Sequence, residues 1–284
     1  MLPEPIITIA GKGIHMYGVC IAVGILLCLV VFFLYTKKRG MPNKLQDFVF
    51  FVAIFAIALG MLFAKVFQAF YNLLEGKGFN FYTAGFTFMG GLIGGVVAFL
   101  SLYFGAGHFY FRGKNKGIHI KYFNMLLNVA PCCITIAHAF GRLGCLMSGC
   151  CHGAYLGSDY VFGGVWMRGT TGVWGFYVPV QLYEALVLFA LFAVLSVLYF
   201  KRVNILMSIY LYAYAVWRFL IEFARTDERG FFFGLYPSQW QSILFVVAGV
   251  LLMAFMYIRK IPFVSKQEIT MNNEESSSEE ELTE

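Results

Sequence analysis

Polar residues along this chain separate seven long apolar runs, at roughly 14–36, 46–72, 87–106, 122–147, 180–200, 204–223 and 239–259. Each matches the ~20 residues that a helix needs to cross a bilayer. The runs lack the two-residue alternation of membrane-barrel strands. In lipid, only a helix satisfies a lone segment's backbone N–H and C=O groups internally. Asn124, Asn128 and Pro131 interrupt the fourth run. The expected fold is therefore all-α, a seven-transmembrane-helix bundle over residues 1–263. The outer loop 148–179 contains "YVFGGVWMRGTTGVWGFYVP", and its glycines and aromatics predict a small folded cap. Residues 264–284 are acidic and serine-rich and read as a disordered cytoplasmic tail. The first run starts without a basic leader and continues at spanning length, so no cleavable signal peptide is expected. No internal repeat stands out.

Composition agrees with this pattern. Of the 284 residues, 60% are hydrophobic and only 13% charged, more apolar surface than a soluble domain can hide. Charge then orients the chain. With the N-terminus outside, the inner loops hold thirteen Lys and Arg residues and the outer loops five, Lys12, Lys77, Arg168, Arg225 and Arg229, so the positive-inside rule places the C-terminus in the cytoplasm. Basic loops facing anionic lipid account for the net charge of +6 without a nucleic-acid partner.

Apart from the histidines and from Asp47 and Arg259 at run ends, five ionisable residues fall inside the runs: Lys65, Arg142, Glu184, Arg218 and Glu222. A charge at a helix centre costs roughly 2.5–3.5 kcal/mol on insertion scales, so each should face the protein interior or a wet cavity. In "YAVWRFLIEFAR", Tyr214, Arg218 and Glu222 stand at i, i+4 and i+8 on one helical face. Gln181 and Glu184 open the fifth run, and Arg142 lies late in the fourth. All point to the outer half of the bundle. Paired guanidinium forks suit a phosphate, which they bind bidentately. The glycines of "FMGGLIGG", Gly90 and Gly91 among them, serve either close approach to a headgroup or helix packing.

At these residues the chain resembles the bacterial prolipoprotein diacylglyceryl transferases. "APCCITIAHAFGRLGC" is similar to that family's Ala-Pro and Gly-Arg-x-Gly signature, and "VPVQLYEAL" to its Pro-x-Gln-Leu-Tyr-Glu segment. "YAVWRFLIEFAR" resembles its Tyr-x3-Arg-Phe-x2-Glu-x2-Arg helix, and "YPSQWQSI" the start of its last helix. The resemblance runs from Tyr17-Gly18 to the seventh span. It implies a multi-pass protein of the bacterial cell membrane that moves the diacylglyceryl group of phosphatidylglycerol onto the lipobox cysteine of a preprolipoprotein. It implies no metal and no soluble cofactor. By carry-over, Arg142 and Arg218 clamp the phosphate, with Tyr214 and Glu222 orienting them. Tyr17, Gly90, Gly91, Gly144, Gly153, Gln181 and Glu184 line the substrate site.

The chain departs from the family pattern at several positions. Met89 stands for the histidine before Gly-Gly, Cys145 and Cys150 for an asparagine and a glutamate, and Lys65 for an arginine. A thioether accepts no proton at neutral pH, which leaves His138 or His152 as the base nearest in sequence. Cys145, Cys150, Cys151 and His152 form a dense cluster. Cys-x4-Cys-Cys-His is not a usual zinc spacing, and adjacent cysteines do not readily supply two ligands to one ion. Packing and thiol chemistry therefore rank ahead of metal. The alternative function is a non-transferase, a membrane thiol-redox or metal-binding protein built on the same scaffold. A transporter fits less well, since repeats are its usual mark.

Overall fold

The structure, a computed structural model, describes residues 6–9, 12–74, 76, 78–82, 85–169, 172–225 and 234–264. Among them are seven helices long and apolar enough to cross a membrane: α1 (Met16–Lys38), α2 (Asn43–Leu74), α3 (Phe88–Tyr110), α4 (Ile118–Ser148), α5 (Val180–Phe200), α6 (Leu206–Ile221, carried to Ala224 by a 3-10 turn) and α7 (Pro237–Ile258). The acidic segment 265–284, expected to be disordered, lies outside the described residues, as do Lys77 and Arg229 of the charge count.

The interrupted fourth run forms one continuous helix. Its span is the most buried of the seven, 56% against 17–44% for the others, so its polar residues meet protein rather than lipid. Pro131 lies within α4 without ending it, and Thr135 donates its hydroxyl to the Pro131 carbonyl at 2.7 Å. Asn128 has a defined partner: its side-chain oxygen accepts the Leu206 N–H at 3.0 Å. That N–H belongs to the first turn of α6, where a helix has no internal acceptor to offer.

Five short strands accompany the helices. β1 (Ile7–Ile9) and β2 (Lys12–Ile14) form an antiparallel hairpin before α1, an element that the hydrophobic pattern did not predict. β3 (Tyr155–Gly157), β4 (Val165–Arg168) and β5 (Trp174–Tyr177) form an antiparallel sheet in the order β3-β5-β4. This sheet is the cap. Met167 and Tyr177 from it pack on Leu146 of α4, which fixes it over that helix end.

The chain divides into two compact units, one of Thr36–Asn124 and one of Met1–Tyr35 with Met125–Glu284. In the first, α2 and α3 pack through glycines. A Cβ added at Gly94 would sit 2.3 Å from the Phe63 Cβ, and one at Gly90 would sit 2.6 Å from that of Phe67. Gly91 faces Ala64. The "FMGGLIGG" glycines therefore act in helix packing, and the expected headgroup contact of Gly90 and Gly91 gives way to that role. Lys65 lies 5.0 Å from the centre of the Phe81 ring and 5.8 Å from that of Phe86. Cation–π attraction thus accompanies Lys65 within its span.

In the second unit, Gly24 of α1 lies against Ala137 and Phe140 of α4. Tyr35 donates to Ser196 of α5 at 3.0 Å, and Tyr214 of α6 packs on Phe245 of α7. The N-terminal ends of α1 and α5 and the C-terminal ends of α4 and α6 meet in this unit. Tyr17 lies against Gly144, Gln181 donates to the Cys150 carbonyl, and Gly153 pairs with Arg225 in an isolated antiparallel bridge.

Candidate functional site

Four of the five ionisable span residues gather at this junction. Glu184, one turn into α5, is wholly buried. One of its oxygens accepts the Tyr214 hydroxyl at 2.9 Å, and the other lies 3.0 Å from Arg142 Nε. His138 Nε2 lies 3.9 Å from the first oxygen, and the His138 ring meets the Tyr214 ring edge-on. Glu184 was expected to line the substrate site. It is the centre of a buried network, because α4 and α6 both aim polar groups at it. A carboxylate sealed in this way requires such partners.

Arg218 forms a second pair, its Nη1 lying 3.0 Å from Glu222 Oε2. The i, i+4 spacing on α6 makes that contact local. Arg225 comes within 4.0 Å of the same oxygen, with only 2% of its side chain exposed. Sequence reasoning placed Arg225 in an outer loop and missed it as a site residue. The available signal was its position seven residues after Arg218, two helical turns along the same face.

Among the described residues, the array thus sets three guanidinium groups around two carboxylates. Its members differ in access. Arg142 keeps 17% of its side chain exposed and His138 24%, whereas Arg218 keeps 4%. Arg142 spends its Nε on Glu184.

The thiols lie one turn from this array along each helix. Cys145 follows Arg142 by three residues, and Gln181 precedes Glu184 by three while holding the Cys150 carbonyl. The sulfurs of Cys145, Cys150 and Cys151 all lie within 4.8 Å of one another. Cys151 has a φ of +63°, and this left-handed backbone turns its side chain back toward the other two. Hydrogen bonds from Cys145 and Cys150, with Arg225 beside them, lower the Cys151 pKa. The converse bonds raise that of Cys150.

His152 does not join them. Its ring lies 4.3 Å from that of Tyr177 in the cap, and its Nδ1 lies 2.9 Å from the Gly153 carbonyl. Gly153 is held closely: a Cβ there would lie 2.7 Å from the Ala224 carbonyl oxygen and 2.9 Å from Val180. Of the other expected residues, Tyr17 is half-exposed with its ring against Gly144. Gln181 is buried.

Comparison with known proteins bears on this arrangement. The family model for prolipoprotein diacylglyceryl transferase matches residues 5–255. A phosphatidylglycerol–prolipoprotein diacylglyceryl transferase of Dehalococcoides mccartyi is 31% identical over 86% of this chain and 89% of its own length. One from Clostridium perfringens is 30% identical over 86% and 91%. One from Streptococcus pneumoniae is 28% identical over 94% and 99%.

Proposed function

The chain belongs to the prolipoprotein diacylglyceryl transferase family, and on that premise we propose that it transfers the diacylglyceryl group of phosphatidylglycerol to the lipobox cysteine of a preprolipoprotein. It is a multi-pass bacterial membrane protein, and the N-terminus lies outside, the C-terminus in the cytoplasm, with no nucleic-acid partner. The observation that carries this reading is the buried arginine–carboxylate array.

The reaction asks for such an array. A thiolate sulfur attacks the glyceryl carbon, the carbon–oxygen bond breaks, and its electron pair departs with the phosphate as glycerol phosphate. Negative charge grows on the phosphate oxygens. Guanidinium groups already fixed in place stabilise it without reorganising. Arg142, the more accessible arginine, contacts the phosphate through its terminal nitrogens. Glu184 and Tyr214 fix its orientation. Arg218 and Arg225, both held by Glu222, contribute their field from behind. His138, within reach of Glu184, is the candidate proton acceptor. Tyr17, Gly144, Gly153 and Gln181 shape the opening.

The test is complementation. A bacterium depleted of its own transferase, expressing this chain, should regain lipidated lipoprotein on gels. Arg142→Ala or Arg218→Ala should abolish lipidation while the protein still inserts and purifies as a single species. Wild-type lipidation by either variant would remove the arginines from the mechanism.

A further inference from the structure

The thiol cluster beside the array is arranged as a metal site. In a zinc–thiolate centre each sulfur lies about 2.3 Å from the metal, so sulfurs sharing one ion stand about 3.8–4.0 Å apart. The three sulfurs here already lie within 4.8 Å of one another. Closing on an ion thus asks each to move by less than about 1 Å. All seven cysteines are thiols, so none of the three is consumed by a disulfide. The backbone is committed to this convergence. Cys151 holds a φ of +63°, a backbone conformation that L-residues rarely adopt. Gln181 fastens the Cys150 carbonyl from α5. Arg142 interacts electrostatically with Cys145, and Arg225 with Cys151.

The geometry points to a trigonal thiolate site, Cys145–Cys150–Cys151, for a soft divalent cation of the zinc type, with its fourth position left to an incoming thiol. Softness follows from an all-sulfur donor set. The open position follows from the ligand count and from access. Three protein ligands are the pattern of reactive zinc, four that of structural zinc. Each of the three cysteines is only half-buried, and His152, the nearest candidate fourth ligand in sequence, is turned to the cap. The site stands one helical turn from Arg142.

The thiol's role rests on the transferase activity proposed above. On binding, the acceptor cysteine gives up its proton to His138, the acceptor proposed above, since a metal-bound thiol is deprotonated outright. The bound thiolate forms the new carbon–sulfur bond as the glyceryl carbon–oxygen bond breaks. The departing electron pair leaves on glycerol phosphate, and the thioether product, a weaker ligand, dissociates. The metal changes neither charge nor oxidation state.

The experiment uses the full chain, purified in detergent, reduced and stripped of metal with a chelator. Cobalt(II) is the probe. One equivalent should produce a thiolate-to-metal charge-transfer band in the near ultraviolet, and zinc should displace it. Cys145→Ser, Cys150→Ser and Cys151→Ser should each weaken binding by at least about tenfold, while Cys20→Ser should not. If a serine variant misfolds, zinc protection of these cysteines from maleimide labelling in the wild type decides the matter. A lipobox peptide containing cysteine should then shift the cobalt d–d bands, and its serine counterpart should not. No band in the wild type, or a band indifferent to all three substitutions, overturns the site. A cobalt spectrum blind to the cysteine peptide overturns the open position. Metal binding is scored without turnover, so failure of complementation alone would refute the transferase reading and leave the site standing. Full lipidation by the triple serine variant would remove the metal from the reaction and leave the transferase.

Discussion

Replacing Glu184 with glutamine perturbs the array at its centre while conserving shape. The carboxylate is wholly buried and lies 3.0 Å from Arg142 and 2.9 Å from the Tyr214 hydroxyl. Glutamine keeps an oxygen for Tyr214 but removes the negative charge that balances Arg142. Losing one partner of a buried ion pair costs about 3–5 kcal/mol, because the other charge stays behind uncompensated. Arg142 retains 17% exposure, so water relieves part of this and about 3 kcal/mol is expected. Arg142→Gln should cost a similar or smaller amount, since a stranded buried carboxylic acid can take up a proton. The double variant leaves two neutral amides that can hydrogen-bond. It should lie well short of the sum of the single effects, with a coupling of about 2 kcal/mol. Apparent melting temperatures of the four proteins in one detergent, read by loss of the monodisperse peak in size-exclusion chromatography, give the cycle. Lipidation should be lost in all three variants. If the effects add, with the double variant at the sum of the singles, the two side chains do not form the pair described.

Three further outcomes follow from local geometry. Gly153→Ala would place a methyl 2.7 Å from the Ala224 carbonyl oxygen and should destabilise by about 1–3 kcal/mol through backbone displacement, measurable in the same melting assay. Cys151→Gly should be more stable than Cys151→Ala by about 1 kcal/mol, because both lack the thiol and only alanine pays for the left-handed backbone; equal stability would mean the turn is relaxed. Asn128→Ala removes the acceptor of the Leu206 N–H and should cost about 1 kcal/mol, as loss of a helix cap does. Faster amide exchange at the start of α6 than in the parent would verify it.

The helices were legible because each declares itself locally. Span membership depends on the summed transfer energy of about 20 neighbouring residues, whatever they later touch. Even the polar fourth run fits, since its asparagines and proline are tolerated where protein replaces lipid. The Arg218–Glu222 pair was legible for the same reason: i, i+4 spacing places both on one face of any helix. Tyr214, on that face as well, bonds across to Glu184 instead, a choice that its own spacing could not express. The N-terminal hairpin was hidden because three-residue strands leave too short a pattern to read.

From the sequence alone came the seven apolar helices, the charges that lipid would not tolerate bare, and the family signature. The tertiary structure decided the partners: Arg142 with Glu184, the burial of Arg225, the glycines of α3 against α2, and three sulfurs drawn together by a left-handed cysteine. Hydropathy and helical spacing are sums over neighbours in the chain. Partnership between Arg142 and Glu184, or between Cys150 and Gln181, links positions 42 and 31 residues apart, and only the packing of whole helices sets those distances.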